Sequence, residues 1–399
     1  MSLTNTPSAN RLHIGIFGRR NSGKSSFINA LTGQDIALVS DVAGTTADPV
    51  YKAMEIHGLG PCMLIDTAGF DDVGELGKMR VEATKKAAEK TEIGVLVFSA
   101  KADAADLAYE KAWAANLREK QVPLLAVINK ADLKDPTPLK ARIERELGLE
   151  PLCLSALTGE GMEAVIPALI RLLPEDYDSD SITGRLVSPG DTVLLVMPQD
   201  IQAPKGRLIL PQVQTIRDLL DHKCIVTSCT ADGLDAALAT LAGPPKLIIT
   251  DSQVFPLVYA KKPAGSLLTS FSVLFAAHKG DIKTFVEGAE AIDRLTAASH
   301  ILIAEACTHA PLTEDIGRVK LPRLLRKRVG EGLQVDIVSG VDFPSDLTPY
   351  DLIIHCGGCM FNRKYILSRV ERAKAQCVPM TNYGVAIAKL TGILDKITW

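Results

Sequence analysis

The chain of 399 residues contains no apolar run approaching the roughly 18 residues needed to cross a bilayer. The longest candidate, residues 267–277, is short and broken by Ser and Thr. The opening MSLTNTPSAN has neither a basic nor an apolar segment, so no secretory leader is expected. These two absences predict a cytoplasmic protein with no membrane partner. Net charge is nearly missing as well, at −3, which removes any global pull toward nucleic acid. Internal repeats and low-complexity segments are absent. In a reducing compartment disulfides are not expected either, and the eight cysteines read as thiols or metal ligands. What is present is 47% hydrophobic against 23% charged residues, enough to bury sizeable cores. The length suggests about two to three domains.

Short apolar runs alternate with helical patterns. Strands are expected at 12–17, 62–66, 93–99, 124–129 and 151–154, and helices at 24–31, 80–90 and 138–147. That alternation predicts an α/β fold with mainly parallel sheets covered on both faces. The acidic, turn-rich PEDYDSD after Leu173 reads as a linker. A second block offers strands in DTVLLVMP, CIVTS and KLIIT, a compact βαβαβ unit with no evident chemical residue set. A third block, from 263, offers LLTSFSVLFA, HILIAEA, QVDIVSG, DLIIHC and VPMTN as strands, with helices such as 282–295 and 365–374. Three α/β domains are therefore expected: a P-loop domain at 1–175, a small βαβ domain at 184–262 and a parallel-sheet domain at 263–399.

Gly18-Arg19-Arg20-Asn21-Ser22-Gly23-Lys24-Ser25 fits G-x-x-x-x-G-K-S between a strand and a helix. Glycines let backbone N–H groups wrap phosphates, and the helix N-terminus adds a favourable dipole. Lys24 would reach the β and γ phosphates, and Ser25 would ligate magnesium. Gly18, Asn21, Ser22, Gly23, Lys24, Ser25 and Ser26 are the expected nucleotide contacts on this loop. Asp66-Thr67-Ala68-Gly69 ends the next apolar strand; Asp66 would hold the magnesium shell and the Gly69 N–H would sense the γ phosphate. Lys24, Asp66 and Gly69 form the catalytic set. In Asn129-Lys130-Ala131-Asp132 the Asp132 carboxylate can accept two hydrogen bonds from guanine, a donor pair that adenine lacks. Ser155-Ala156 suits a backbone contact to guanine O6. Four such motifs in this order specify a GTP- and GDP-binding, GTP-hydrolysing domain.

These residues resemble the TrmE–Era group of translation-factor-like GTPases. The resemblance implies that Asn21 ligates an activating K⁺ and that Gly44-Thr45-Thr46 is a switch segment whose Thr46 binds Mg²⁺. Phe70 stands where Ras-like enzymes carry a water-orienting glutamine, so hydrolysis must rely on something else, and potassium is the candidate.

Five cysteines, Cys62, Cys153, Cys224, Cys229 and Cys377, are scattered and read as small buried hydrophobes. The other three are grouped. Cys307-Thr308-His309 follows one apolar strand, and His355-Cys356-Gly357-Gly358-Cys359 follows another. Ligands favour the carboxyl edge of such sheets, and C-x-x-C lets both sulfurs reach one centre. On spacing alone, zinc with His309 or His355 as fourth ligand and an iron–sulfur cluster are equally suited.

C-x-H followed, after residues 310–354, by H-C-x-x-C, downstream of a TrmE-like GTPase, resembles the HydF family of FeFe-hydrogenase maturation GTPases. The resemblance spans the chain and implies a GTPase, a middle homodimerisation domain and a cluster domain. It implies a 4Fe–4S cluster on Cys307, Cys356 and Cys359, with an exchangeable fourth site for which Glu305, His309 and His355 are candidates. It also implies a scaffold and carrier for the diiron subcluster, supplied by two radical-SAM maturases and delivered to apo FeFe-hydrogenase. The basic segment 318–328 (RVKLPRLLRKR) reads as a solvated helix face; an anionic precursor or partner contact is its functional alternative. Two rivals remain open: an RNA- or ribosome-acting GTPase with a structural zinc module, and an electron-transfer protein regulated by GTP.

Overall fold

A computed structural model describes residues 6–33, 49–69, 74–101, 106–173, 181–198, 208–306 and 315–399. Gly44, Thr45, Thr46, Phe70, Cys307, His309 and the expected linker at 174–180 lie outside the described residues. The chain divides into two compact units, Met1–Asp178 and Ser179–Trp399.

In the first unit six strands form one sheet: β1 (Leu12–Phe17), β2 (Val50–Ile56), β3 (Gly60–Asp66), β4 (Ile93–Ser99), β5 (Leu124–Asn129) and β6 (Leu152–Cys153). Their order is β2-β3-β1-β4-β5-β6, parallel throughout except for the β2–β3 pair. β1, β4 and β5 are apolar on both faces because helices cover the sheet on both sides. β2 is absent from the sequence expectation. It is an edge strand with most of its side chains at least partly exposed, so Lys52 and Glu55 break the apolar pattern that marks the central strands.

The second unit contains two four-stranded parallel sheets. β7 (Thr192–Val196), β8 (Ile225–Cys229), β9 (Leu247–Thr250) and β10 (Leu267–Ser270) are ordered β10-β9-β7-β8. β11 (His300–Glu305), β12 (Gln334–Ser339), β13 (Leu352–His355) and β14 (Met380–Asn382) are ordered β12-β11-β13-β14. Each sheet therefore places its second strand beside its first on one side and its third on the other. The same topology occurs twice although no sequence repeat is visible, since buried strands need only an apolar pattern and not particular residues.

One expected strand is corrected. In LLTSFSVLFA only Leu267–Ser270 is extended, and it pairs with β9 in the middle sheet. Phe271–Lys279 is a helix, with the Ser270 hydroxyl accepting the Val273 N–H at 3.2 Å. A short apolar run does not by its periodicity separate a buried strand from a buried helix. A division at 262/263 would strip the middle sheet of its edge strand. The two sheets also share one continuous core, in which Leu194, Ile248 and Leu268 join Ile303, Ile353 and Val385. Burying each such side chain contributes about 1.5–3 kcal/mol. Among the described residues no helix is long and apolar enough to cross a membrane.

Candidate nucleotide site and candidate metal centre

β1 lies between β3 and β4, so the loops leaving β1 and β3 open at a point where the strand order reverses. Crevices of this kind bind ligands in open α/β sheets. The phosphate loop fills it. Gly23 has φ +93°, and a side chain there would collide with the Asn129 amide, so only glycine fits. Lys24 opens the helix Lys24–Thr32 and is 8% exposed; its Nζ donates to the carbonyls of Gly18 and Arg19 at 3.0 and 2.9 Å. The loop is thereby curled around a buried ammonium. Ser25 Oγ donates to Asp66 Oδ2 at 2.8 Å. Burial raises the Asp66 carboxyl above its usual range, with the Ser25 hydroxyl and Lys24 opposing. A hydroxyl and a carboxylate in contact are a hard-oxygen set that suits Mg²⁺.

Asn129 acts as a brace. Its Nδ2 donates to the Ser22 and Gly23 carbonyls at 3.4 and 3.3 Å, and its Oδ1 accepts the Lys130 and Ala156 N–H groups at 2.8 and 3.0 Å. Lys130 Nζ donates to the Asn21 carbonyl at 2.7 Å. One pair of residues thus ties the phosphate loop to the Ser155-Ala156 loop. Ser26 lies in the first helical turn, Gly69 is buried three residues beyond β3, and Asp132 is exposed beside Lys130. The described members of the expected nucleotide set therefore converge on one sheet edge. Sequence reading missed a clamp on this loop: Arg19 Nε and Glu110 Oε1 are 2.6 Å apart, with Glu110 buried. Glu110 carries no local motif, so nothing in its own segment marks it.

The third sheet has its own reversal between β12-β11 and β13-β14, and the loop that bears Cys356 and Cys359 follows β13 there. Ala304 pairs with His355, and the Cys356 N–H donates to the Ala304 carbonyl at 2.9 Å. Cys356 Sγ accepts the Ala306 and Gly358 N–H groups at 3.0 and 3.4 Å. Ala306, which follows β11, stands at this edge, and Cys307 lies outside the described residues. Burial, reinforced by Cys359, pushes the Cys356 thiol up to about 11. Such a sulfur is a poor free nucleophile, yet two amide donors await the charge it takes on when a metal deprotonates it. The loop is further held by Asn382 Nδ2 on the Cys356 carbonyl at 3.3 Å and by buried Lys279 on the Phe361 carbonyl at 2.9 Å.

His355 behaves differently from the sequence expectation. It is 1% exposed, its Nδ1 donates to the Cys356 carbonyl at 2.7 Å, and its Nε2 accepts from Arg369 Nη1 at 2.9 Å. Burial, then the Arg369 charge, depresses its pKa to about 3. Both ring nitrogens are used within the protein, which counts against His355 as the fourth ligand. Arg369 itself is buried, and among the described residues no carboxylate pairs with it. Three rings, Phe343, Phe361 and Tyr365, each lie 4.7 Å from its guanidinium, and its Nη2 donates to the Gly340 carbonyl at 2.6 Å. Cation–π contacts of about 0.5–2 kcal/mol each, with these hydrogen bonds, offset the desolvation of the charge. Glu305 is also engaged, with Oε2 3.0 Å from Arg318 Nη2 and accepting from the Ser339 hydroxyl at 3.2 Å. Arg318 is thereby withdrawn from the solvated face expected for the basic segment, whereas Arg323 and Lys327 remain exposed.

Comparison with known proteins follows the same division. Residues 13–130 match a family model described as a 50S ribosome-binding GTPase. Residues 182–280 match the hydrogen maturase F dimerization domain, and residues 283–398 match the hydrogen maturase F tetramerization domain. The tRNA modification GTPase MnmE of Paraburkholderia xenovorans is 31% identical over 172 residues, 43% of this chain and 36% of that protein. GTPase Der of Wolinella succinogenes is 38% identical over 126 residues, 31% of this chain and 26% of that one. The chain thus spans about a third of the length of the curated relatives it matches. A crystal structure of Era in complex with MgGDPNP and a fragment of 16S ribosomal RNA aligns over 55% of this chain and 92% of that one, at 18% identity and a TM-score of 0.38.

Proposed function

Because the chain belongs to the hydrogen maturase F family, whose two domain models together match more than half of its residues, we propose that it is a GTP-hydrolysing scaffold. In this reading it holds a 4Fe–4S cluster on Cys307, Cys356 and Cys359 and carries the diiron subcluster of FeFe-hydrogenase. The amino-terminal unit is its GTPase domain and the family assignment places it in hydrogenase maturation; the dimerization and tetramerization matches make it self-associating. Radical-SAM maturases as suppliers and apo-hydrogenase as acceptor complete the proposal.

The observation that supports the cluster is the Cys356 sulfur with its two amide donors, Ala306 and Gly358. Three thiolates fit the cluster, and hydrogen bonds to sulfur are a means by which proteins stabilise its charge. When bound, the cluster supplies an iron whose fourth position is open to an exchangeable ligand. The chain's own residues do the rest: Asn382, His355 and Lys279 hold the loop, and Glu305 and position 309 remain candidate fourth ligands. Anaerobic reconstitution followed by iron, sulfide and zinc analysis tests the reading. One zinc and no iron would overturn it in favour of an RNA- or ribosome-acting GTPase with a zinc module.

A second expectation concerns the fourth site. His355→Gln keeps an acceptor for Arg369 and should leave both the iron content and the EPR spectrum of the reduced cluster as in the unaltered protein. A shifted spectrum with iron retained would restore His355 as a ligand.

For hydrolysis, Lys24, Ser25 and Asp66 would hold the phosphates and Mg²⁺, and Asn21 would hold K⁺. Asn21 adopts φ +55° within the phosphate loop while Lys130 fixes its carbonyl. A cation there would supply positive charge to the transition state, worth on the order of 10-fold or more in turnover. Hydrolysis should accordingly be faster in potassium than in sodium, and equal rates at matched ionic strength would refute the role of Asn21.

A further inference from the structure

Four segments of the carboxyl-terminal unit meet around a cavity of about 400 Å³, a size typical of small-molecule sites. Ser181, Gly184 and Arg185 line it from the segment before β7, and His222 from the end of the helix Leu210–Asp221. His278 lines it from the helix Phe271–Lys279 and Arg363 from the start of the helix Arg363–Ala375. Among the described residues the lining holds two arginines and two histidines and no carboxylate. Arg363 Nη1 donates to the His278 carbonyl at 3.0 Å, which fixes the guanidinium without neutralising it. Among the described residues neither Arg185 nor Arg363 is paired with an acid. Asp218 touches both Ser181 and His222, but its oxygens are occupied. Oδ1 accepts the Ser181 hydroxyl and the Ile182 N–H at 3.0 Å each, and Oδ2 accepts the Thr183 N–H at 2.8 Å. These bonds lock residues 181–183 onto the helix and so place Gly184 and Arg185 at the cavity. His222 Nδ1 lies 2.7 Å from the Asp218 carbonyl. A carbonyl can only accept, so Nδ1 carries the proton, and in the neutral ring Nε2 is an acceptor. A Cβ on Gly184 would stand 2.8 Å from both His222 Nε2 and Ser181 Oγ, so glycine keeps the space before that nitrogen open.

We propose that this cavity binds a phosphate group that retains a proton, with Arg185 and Arg363 as its cationic donors and His222 Nε2 as the acceptor of its P–OH. Two guanidiniums brought to one cavity repel each other, and an anion between them turns that repulsion into attraction. Their planar N–H forks match the tetrahedral oxygens of phosphate, which they can hold by paired, charge-assisted hydrogen bonds. The neutral His222 ring adds a choice among anions. Phosphate keeps a proton at neutral pH and can donate it to Nε2. Sulfate has none to give, so its oxygen would face the nitrogen lone pair, and a site with an unpaired polar atom discriminates against the ligand that leaves it so.

The test is calorimetric titration of the full chain with inorganic phosphate, in saturating GDP and Mg²⁺ so that the nucleotide site is already filled. Phosphate should bind, and sulfate should bind on the order of 10-fold more weakly. Arg185→Gln should raise the phosphate dissociation constant on the order of 10- to 100-fold, the effect of losing one or two charge-assisted hydrogen bonds. Arg185 is exposed and without an acid partner among the described residues, so this variant should melt at the same temperature as the unaltered chain when phosphate is absent. Gly184→Ala keeps every charge and fills the space before His222, and it should weaken phosphate by at least as much. Glycerol 3-phosphate distinguishes the two sources of the group: binding tighter than inorganic phosphate assigns the rest of the cavity to an ester's organic part, and weaker binding assigns the site to the free ion. No heat of phosphate binding to the GDP-loaded chain would overturn the proposal. So would an affinity unchanged in both variants, and sulfate bound as tightly as phosphate would remove His222 as the acceptor and with it the phosphate assignment.

Discussion

Cys356→Ala is expected to leave the protein unable to hold a cluster, with iron per chain falling from about four to near zero. The sulfur is where the Ala306 and Gly358 N–H groups converge. Thiolates are the firm ligands of iron–sulfur centres, and in the proposed cluster the fourth position would be the weak one. In the proposed site, removing any of Cys307, Cys356 or Cys359 would leave two firm ligands, too few to retain the cluster. The concern that the variant merely unfolds is met by magnitudes. Two amides left without their acceptor cost about 1–3 kcal/mol each at most, against a stability of about 5–15 kcal/mol for a typical domain. Cys356→Ser, which leaves a weaker oxygen acceptor for the amides, separates ligand loss from structural loss. GTP turnover should survive in both variants, because the nucleotide residues belong to the other compact unit. Full iron content in Cys356→Ala would sink the assignment.

Lys24→Ala should reduce GTP turnover at saturating nucleotide on the order of 100- to 1,000-fold, the range seen when one preorganised transition-state donor is removed. The ammonium is nearly buried and already gathered by the Gly18 and Arg19 carbonyls, so its charge is held in place before the phosphates arrive. Its loss also frees two loop carbonyls, which should weaken nucleotide binding. Turnover measured by phosphate release, alongside a nucleotide titration, distinguishes the two effects. A variant that hydrolyses GTP at the unaltered rate would mean that this loop is not the catalytic one.

Much of the nucleotide site is legible in the amino-acid sequence alone. The order Gly18 to Ser25, Asp66 to Gly69, Asn129 to Asp132 and Ser155-Ala156 is a linear code, because each motif ends a strand and all parallel strands present their ends on one edge. The cysteine pair is legible for the same reason, as Cys356 and Cys359 occupy one loop after β13. Less legible are elements whose patterns are ambiguous. The run LLTSFSVLFA holds both β10 and a helix, and an edge strand with half-buried Lys52 and exposed Glu55 shows no apolar run at all. The joint core of the two carboxyl-terminal sheets is hidden too, since a strand's sequence records that its face is buried and not what buries it.

By itself the sequence determined the nucleotide chemistry and the α/β class, since those depend on residues close together in the chain or at the ends of regularly spaced strands. The tertiary structure decided which polar groups near the cysteines are free to act. His355 looks like a ligand beside Cys356, yet Arg369, 14 residues away on the following helix, takes its second nitrogen. Glu305 is claimed by Arg318 and Ser339 from two further elements. Whether a side chain ligates, braces or donates depends on what its remaining polar atoms meet across the fold, and that information is not local in sequence.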